Sequence, residues 1–530
     1  MRLPESASDP IELEGRGNSA FPGSDRPEAE RPHLHRWAQG LILVALYSFP
    51  AVAYLRSATA ADPDVWWQMR TGEWILQHGA MPHTDPFSSY AAGMPWEAYS
   101  WLFDLILLQL YKWLGLVGIA VFTATMAVLV AVALHRLIRR LQADFTIAVF
   151  LTLAASFAIS RLDAPRSWWF SILFFALEVD VLMHARKTGK IRELVCLPFI
   201  YALWANLHIQ FIDGLVVLAI AVGDSLVALH WNGLRTRIRP AWLCGVSAAC
   251  VVAPLANPYG WTIYRTAYHL ASQRGVVNVI TEMQAMAFRN LADWIVLIFA
   301  LAAAATLASA RRFALFEIVL LAFGVVVSFR SQRDLWVVVI VSSAILAAGL
   351  KVSAEDRFQL KASAAPLIAV AVGLVMFLSI RILQVNNAHL QAKMAESLPV
   401  HAVQVVKENG YGGPLYNDYN WGGFLIWALR MPVSVDTRAG LAGDQRIDRS
   451  IATWNASADW ASDPDLAKAQ TVILPAQAPL VSVLRMDPHF DLVFEDKIAT
   501  VFVARKAPSA GSAEKPPTAE PCAPGHLASK

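Results

Sequence analysis

Gly40-Leu41-Ile42-Leu43-Val44-Ala45-Leu46-Tyr47-Ser48-Phe49-Pro50-Ala51-Val52-Ala53-Tyr54 lies inside a run, Trp37 to Leu55, that holds no charged side chain. Seven residues past its end the sequence turns acidic and aromatic, as Asp62-Pro63-Asp64-Val65-Trp66-Trp67-Gln68-Met69. A spanning helix needs about 20 mostly apolar residues, so the first run reads as a membrane span and the second as what emerges from it. The rest of the 530-residue chain agrees, with 56% hydrophobic and only 16% charged residues. A soluble globule carries about 25% charged residues. That difference excludes a cytosolic enzyme, a disordered regulator and a fibrous protein. A net charge of +3, dispersed along the chain, gives no footprint for nucleic acid. Cys196, Cys244 and Cys250 sit in apolar segments and Cys522 near the C-terminus, without metal-ligand spacing.

Apolar runs at 37–56, 116–138, 145–161, 167–184, 193–208, 209–229, 241–256, 291–309, 313–329, 334–350 and 364–383 give eleven expected spans. Short basic loops set orientation. The clusters Arg136/Arg139/Arg140, Arg186/Lys187/Lys190/Arg192, Arg235/Arg237/Arg239, Arg311/Arg312 and Lys351/Arg357/Lys361 all fall on one side if 98–114 does not cross. Its mixture of Trp101, Asp104, Gln109 and Lys112 with leucines suits an interfacial helix. The N-terminus is then cytoplasmic and the C-terminal part extracytoplasmic. The expected organisation is a disordered segment 1–36, a transmembrane domain 37–385 with an exterior loop 57–115, an α/β domain 386–506 and a disordered tail 507–530.

The 57–115 loop carries six of the 19 tryptophans, which suggests that it lies along the headgroup layer. Asp64 to His78 has helical spacing, with Gly79 as its stop. In the C-terminal domain Pro399–Asn409 reads as a helix, and Pro432–Asp436, Thr471–Leu474, Leu492–Glu495 and Ala499–Ala504 read as strands.

Candidate chemistry gathers at the exterior ends of the spans. Asp62 and Asp64 stand at the edge of low dielectric, where burial makes a carboxylate a better proton acceptor. The plainer reading is a helix cap at Asp64 and an interface marker at Asp62. Glu97 and Asp85 share the loop. Arg330 and Arg333 bracket the turn between the ninth and tenth spans, at the depth of a lipid phosphate. Snorkelling to ordinary headgroups is the alternative. Arg161 and Arg166 form a similar exterior pair. Asn206 and His208 interrupt spans five and six. Glu178 and Asp180 lie inside span four and could pair with Arg186 or Lys187.

The run from Asp62 to Met69, continuing to Gly72 and to Thr84-Asp85-Pro86-Phe87-Ser88, resembles the D-x-D-x-W-W-H-L-x-x-G signature of bacterial polytopic membrane proteins. Those proteins are similar to GT-C-type glycosyltransferases, which use polyprenyl-phosphate sugars. The resemblance extends through Leu203–His208, Asn257-Pro258-Tyr259-Gly260-Trp261, Arg330-Ser331-Gln332-Arg333, Tyr416–Leu425 and Val435-Asp436-Thr437-Arg438. It covers roughly 37–505. It implies a GT-C-like fold, a lipid-linked donor, a glycan or other hydroxyl acceptor, and an acidic residue of the first exterior loop as base, at Asp62 or Asp64. Arg330, Arg333 and Arg166 are the expected donor-phosphate ligands. Trp66, Trp67, Gln68, Asn206, His208, Asn417, Asp418, Asp436 and Arg438 are the expected substrate contacts. Two departures stand out: Gln68 replaces the family histidine, and Ser100 stands where an acidic residue is expected, with Glu97 near enough to substitute. No cofactor is implied beyond an optional divalent cation. The rival readings are a flippase or transporter of lipid-linked glycans, which Glu178 and Asp180 would suit, and a non-catalytic assembly subunit.

Overall fold

The computed structural model describes residues 36–58, 60–230, 238–272, 280–310, 315–350 and 364–505. The expected N-terminal segment and tail, and the basic positions Arg235, Arg237, Arg311, Arg312, Lys351, Arg357 and Lys361, lie outside the described residues. The protein is a helical membrane bundle followed by a small α/β domain. Among the described residues, eight helical segments are long and apolar enough to cross a membrane: Arg36–Ser57 (α1), Leu116–Leu141, Phe145–Leu162, Trp168–Thr188, Phe211–His230, Leu291–Ala308, Gln332–Gly349 and Ala365–Ile382. At the other three expected positions the helices are shorter: Leu197–Leu207, Pro240–Val252 and Leu315–Arg330.

After α1 the chain enters Pro63–His78 (α2). The start is set by Asp62, whose side chain accepts from the Asp64 amide at 2.9 Å, and by Pro63 in the first turn. Gly79 ends the helix at φ 60°, donating to the Ile75 carbonyl. The cap is therefore Asp62 rather than Asp64. Trp101–Leu114 (α3) packs along α2 so closely that a Cβ on Gly72 would lie 2.6 Å from the Asp104 carbonyl oxygen.

Two expectations about this loop are corrected. Trp66 and Trp67 are buried in protein rather than held in a headgroup layer. Asp104 is buried as well, instead of marking the polar side of an interfacial helix. The tryptophans are covered from the C-terminal domain, where Phe424 and Trp427 pack on Trp66, and a local reading of the loop does not see that cover. Asp104 is closed off where α3 packs on α2.

The C-terminal domain has a four-stranded sheet in the order β1-β2-β4-β3, built from Leu415–Asn417 (β1), Thr471–Pro475 (β2), Phe490–Glu495 (β3) and Ala499–Ala504 (β4). The β1–β2 pair is parallel and the other two pairs are antiparallel. At three residues, β1 is too short to show alternation in the sequence. The expected strand Pro432–Asp436 is not part of the sheet. Its Val433 instead bridges to Ser88 of the 57–115 loop, with the Ser89 amide donating to the Val433 carbonyl at 3.0 Å. Helix Gly422–Leu429 (α4) lies on α2, where a Cβ on Gly423 would run into the Pro63 carbonyl oxygen. Only glycine allows that approach.

Candidate functional site

Four stretches far apart in sequence meet at one end of the bundle: the start of α2, the loop before Trp168, the segment Thr281–Met283 and the turn after Leu315–Arg330. Arg166 is their centre. Its Nε lies 2.9 Å from Asp62 Oδ2, and its Nη1 lies 2.8 Å from Asp64 Oδ2 and 2.9 Å from Glu282 Oε1. Glu282 Oε1 is also 4.0 Å from Arg333 Nη1. Both guanidinium groups lie over the Trp168 ring, at 5.1 and 5.2 Å from its centroid. The structure thus brings Asp62, Asp64, Arg166 and Arg333 together. It does not bring Arg330 with them: that side chain is exposed and makes no hydrogen bond or ion pair among the described residues. Arg161 is spent on Asp293 and Gln332.

Each acid is differently held. Asp64 Oδ1 accepts from the Trp67 indole at 3.1 Å and from the Thr437 hydroxyl of the C-terminal domain. Asp62 is engaged, among the described residues, by the Asp64 amide and Arg166. Burial pushes the Asp62 carboxyl above its ordinary value; Arg166 opposes the shift and the Asp64 charge adds to it. Glu282 is carried by a segment tied to the Arg333 turn. The Gln332 amide donates to the Gln284 carbonyl at 3.0 Å, and the Gln332 side chain donates to the Thr281 and Ala285 carbonyls at 3.3 and 3.1 Å.

His208 also belongs here. Its Nδ1 is 2.7 Å from Ser171 Oγ, which accepts from the Trp204 indole, and its Nε2 is 3.5 Å from Arg333 Nη2. Glu97 is held elsewhere, 3.8 Å from Arg265 and 3.4 Å from Thr266. Asn206 accepts from the Trp101 indole at 2.7 Å. Trp66 packs edge-on against Phe424 at 5.2 Å, and Gln68 is buried.

The C-terminal-domain residues are mostly engaged in architecture. Asn417 binds Ser434 and the Val435 carbonyl. Asp436 takes two bonds from the Arg438 side chain, and Arg438 reaches Asp85 of the 57–115 loop. Asp418 caps the turn at Tyr419–Trp421, and burial pushes its carboxyl up to about 6 against the pull of three backbone amides.

Sequence reasoning alone does not single out Glu282 or Thr437. Thr437 lies within a quoted motif, but nothing local distinguishes Glu282. Glu178 and Asp180 find partners inside the bundle: Glu178 accepts from the Tyr201 hydroxyl at 2.9 Å, and Asp180 pairs with Arg136 and Arg140 at 3.2 and 3.1 Å. Arg186 instead pairs with Asp224. Among the described residues no group of three or more His, Cys, Asp and Glu is placed to hold a metal ion. The acids converge on a guanidinium instead.

No family model and no curated protein matches the chain. Among solved structures, ArnT from Cupriavidus metallidurans bound to undecaprenyl phosphate is similar in fold, at 13% identity and a TM-score of 0.48, covering 88% of this chain and 98% of that one.

Proposed function

We propose that this protein is a membrane glycosyltransferase that moves a sugar from a polyprenyl-phosphate donor to a hydroxyl acceptor at the exterior face. The observation that supports it is the meeting of the carboxylates Asp62 and Asp64 with the arginines Arg166 and Arg333 in one half-buried site. Asp62 takes the proton of the acceptor hydroxyl as that oxygen bonds to the anomeric carbon. The bond from that carbon to the phosphate oxygen breaks, and its electron pair leaves with polyprenyl phosphate. Arg333 stabilises the charge developing there, with His208 beside it. Asp64, held by Trp67, Thr437 and Arg166, orients the acceptor side.

The test is Asp62→Asn with Asp64→Asn in membranes supplied with labelled lipid-linked sugars. Transfer should fall by about 100-fold or more. Transfer at the normal rate removes the base assignment. A labelled lipid that changes leaflet and is never consumed makes the protein a transporter. The acceptor, sugar and stereochemical outcome would follow from mass spectrometry of envelope glycans in cells lacking the protein.

A further inference from the structure

Arg166 is surrounded by more negative charge than it needs. Asp62 and Asp64 already engage its Nε and one Nη, so Glu282 is a third carboxylate on one guanidinium. Glu282 is also the most exposed of the three, at 29% against 10% and 17%. Its Oε1 is within reach of both Arg166 and Arg333, at 2.9 and 4.0 Å. Two arginines over a single indole, sharing one carboxylate oxygen, make a seat for one anionic group.

We infer that the Glu282 carboxylate sits in the phosphate seat formed by Arg166 and Arg333 and competes with the lipid phosphate for it. This rests on the glycosyl-transfer reading above. The backbone that carries Glu282 is tied to the Gln332 turn, so the carboxylate leaves by side-chain rotation while the segment stays in place.

The competition matters most after transfer. The donor is a phosphodiester with one negative charge, whereas the released lipid is a monoester with a second ionisation at about pH 6. Without a competitor two arginines would hold the more charged product more tightly than the donor. A resident carboxylate lowers the apparent affinity for both by the fraction of time that it fills the seat. It returns as the phosphate loosens, and so favours product release, a step that limits many enzymes.

The test measures binding of a short-chain polyprenyl phosphate and of inorganic pyrophosphate to the full-length protein in nanodiscs. Glu282→Gln should tighten both by about tenfold. Adding Arg333→Gln should abolish the gain. Glu73→Gln, an equal charge change at the Arg70–Arg430 contact, should leave both affinities unchanged. Unchanged or weaker binding by Glu282→Gln overturns the inference, as does an equal gain in Glu73→Gln. A gain for pyrophosphate alone keeps the seat and removes the lipid-donor reading. If Glu282→Gln does not fold, Glu282→Asp, which keeps the charge but shortens its reach, should tighten binding by about threefold. No change there is equally fatal.

Discussion

Two arginines in this protein each gather carboxylates from distant parts of the chain, and they do opposite things with them. Arg438 joins Asp85 of the 57–115 loop to Asp436 of the C-terminal domain; its side chain is 3% exposed and both partners are at 0%. It lies against Phe87 and Trp96, 5.4 and 4.9 Å from their ring centroids. Asp85 also accepts from the Phe87 and Ser88 amides. That cluster is closed: one guanidinium and two carboxylates are sealed from water and bonded to one another. Around Arg166 three acids share one guanidinium, and all of the groups remain partly exposed. Complete satisfaction fastens the domain to the loop. Partial exposure leaves groups that, on the glycosyl-transfer reading proposed above, exchange partners with a substrate.

Removing each arginine in turn separates the two clusters. Arg438→Gln strands two buried carboxylates, and losing one partner of a buried pair costs about 3–5 kcal/mol. The C-terminal domain should detach from the loop, detectable as proteolysis near Val433 and a lower melting temperature. Arg166→Gln should instead cost about 1–2 kcal/mol, because its acids can hydrate or share protons, yet reduce transfer by about 100-fold. If the two variants lose stability equally, the distinction between closed and open clusters fails.

The bundle is legible in the sequence because an apolar span is a local property, visible in any window. Asp62 and Asp64 are legible for the same reason, as an acidic step at a span end. Which of two arginines faces the site is not: Arg330 and Arg333 are neighbours on one short turn, and only its course through Gln332–Asp334 points one inward. Arg166 reads in the sequence only as half of a second exterior arginine pair, since its acidic partners lie more than one hundred residues away on either side. Glu282 has no local signal at all, being placed by backbone bonds to Gln332. In the C-terminal domain Val433 alternates like a strand residue, but its partner is Ser88, more than three hundred positions earlier.

A smaller effect probes how the C-terminal domain serves the open cluster. Gly423→Ala drives a methyl into the Pro63 carbonyl oxygen, where backbone must yield. Overpacking of this kind costs about 1–3 kcal/mol. Pro63 lies between the two aspartates, so transfer should fall by more than the stability loss alone would predict. Wild-type activity with a lowered melting temperature would mean that the docking of α4 does not position the acids.

The smallest effect is also the most specific, because rate and stability move in opposite directions. Asp62 must be ionised to accept a proton, so transfer should fall with acidification through its raised pKa. The same shift makes the folded state bind protons more readily than the unfolded one. Between the ordinary carboxylate value and the raised one, the Asp62 contribution to stability is therefore lost as pH rises and regained as it falls. Asp62→Asn isolates this contribution, since asparagine caps a helix as well as aspartate does. Relative to that variant, the wild type should gain melting temperature as pH is lowered through the window while its transfer rate declines. Were rate and relative stability to fall together, Asp62 would be a structural carboxylate held ionised by Arg166, and the open cluster would differ from the closed one only in its exposure.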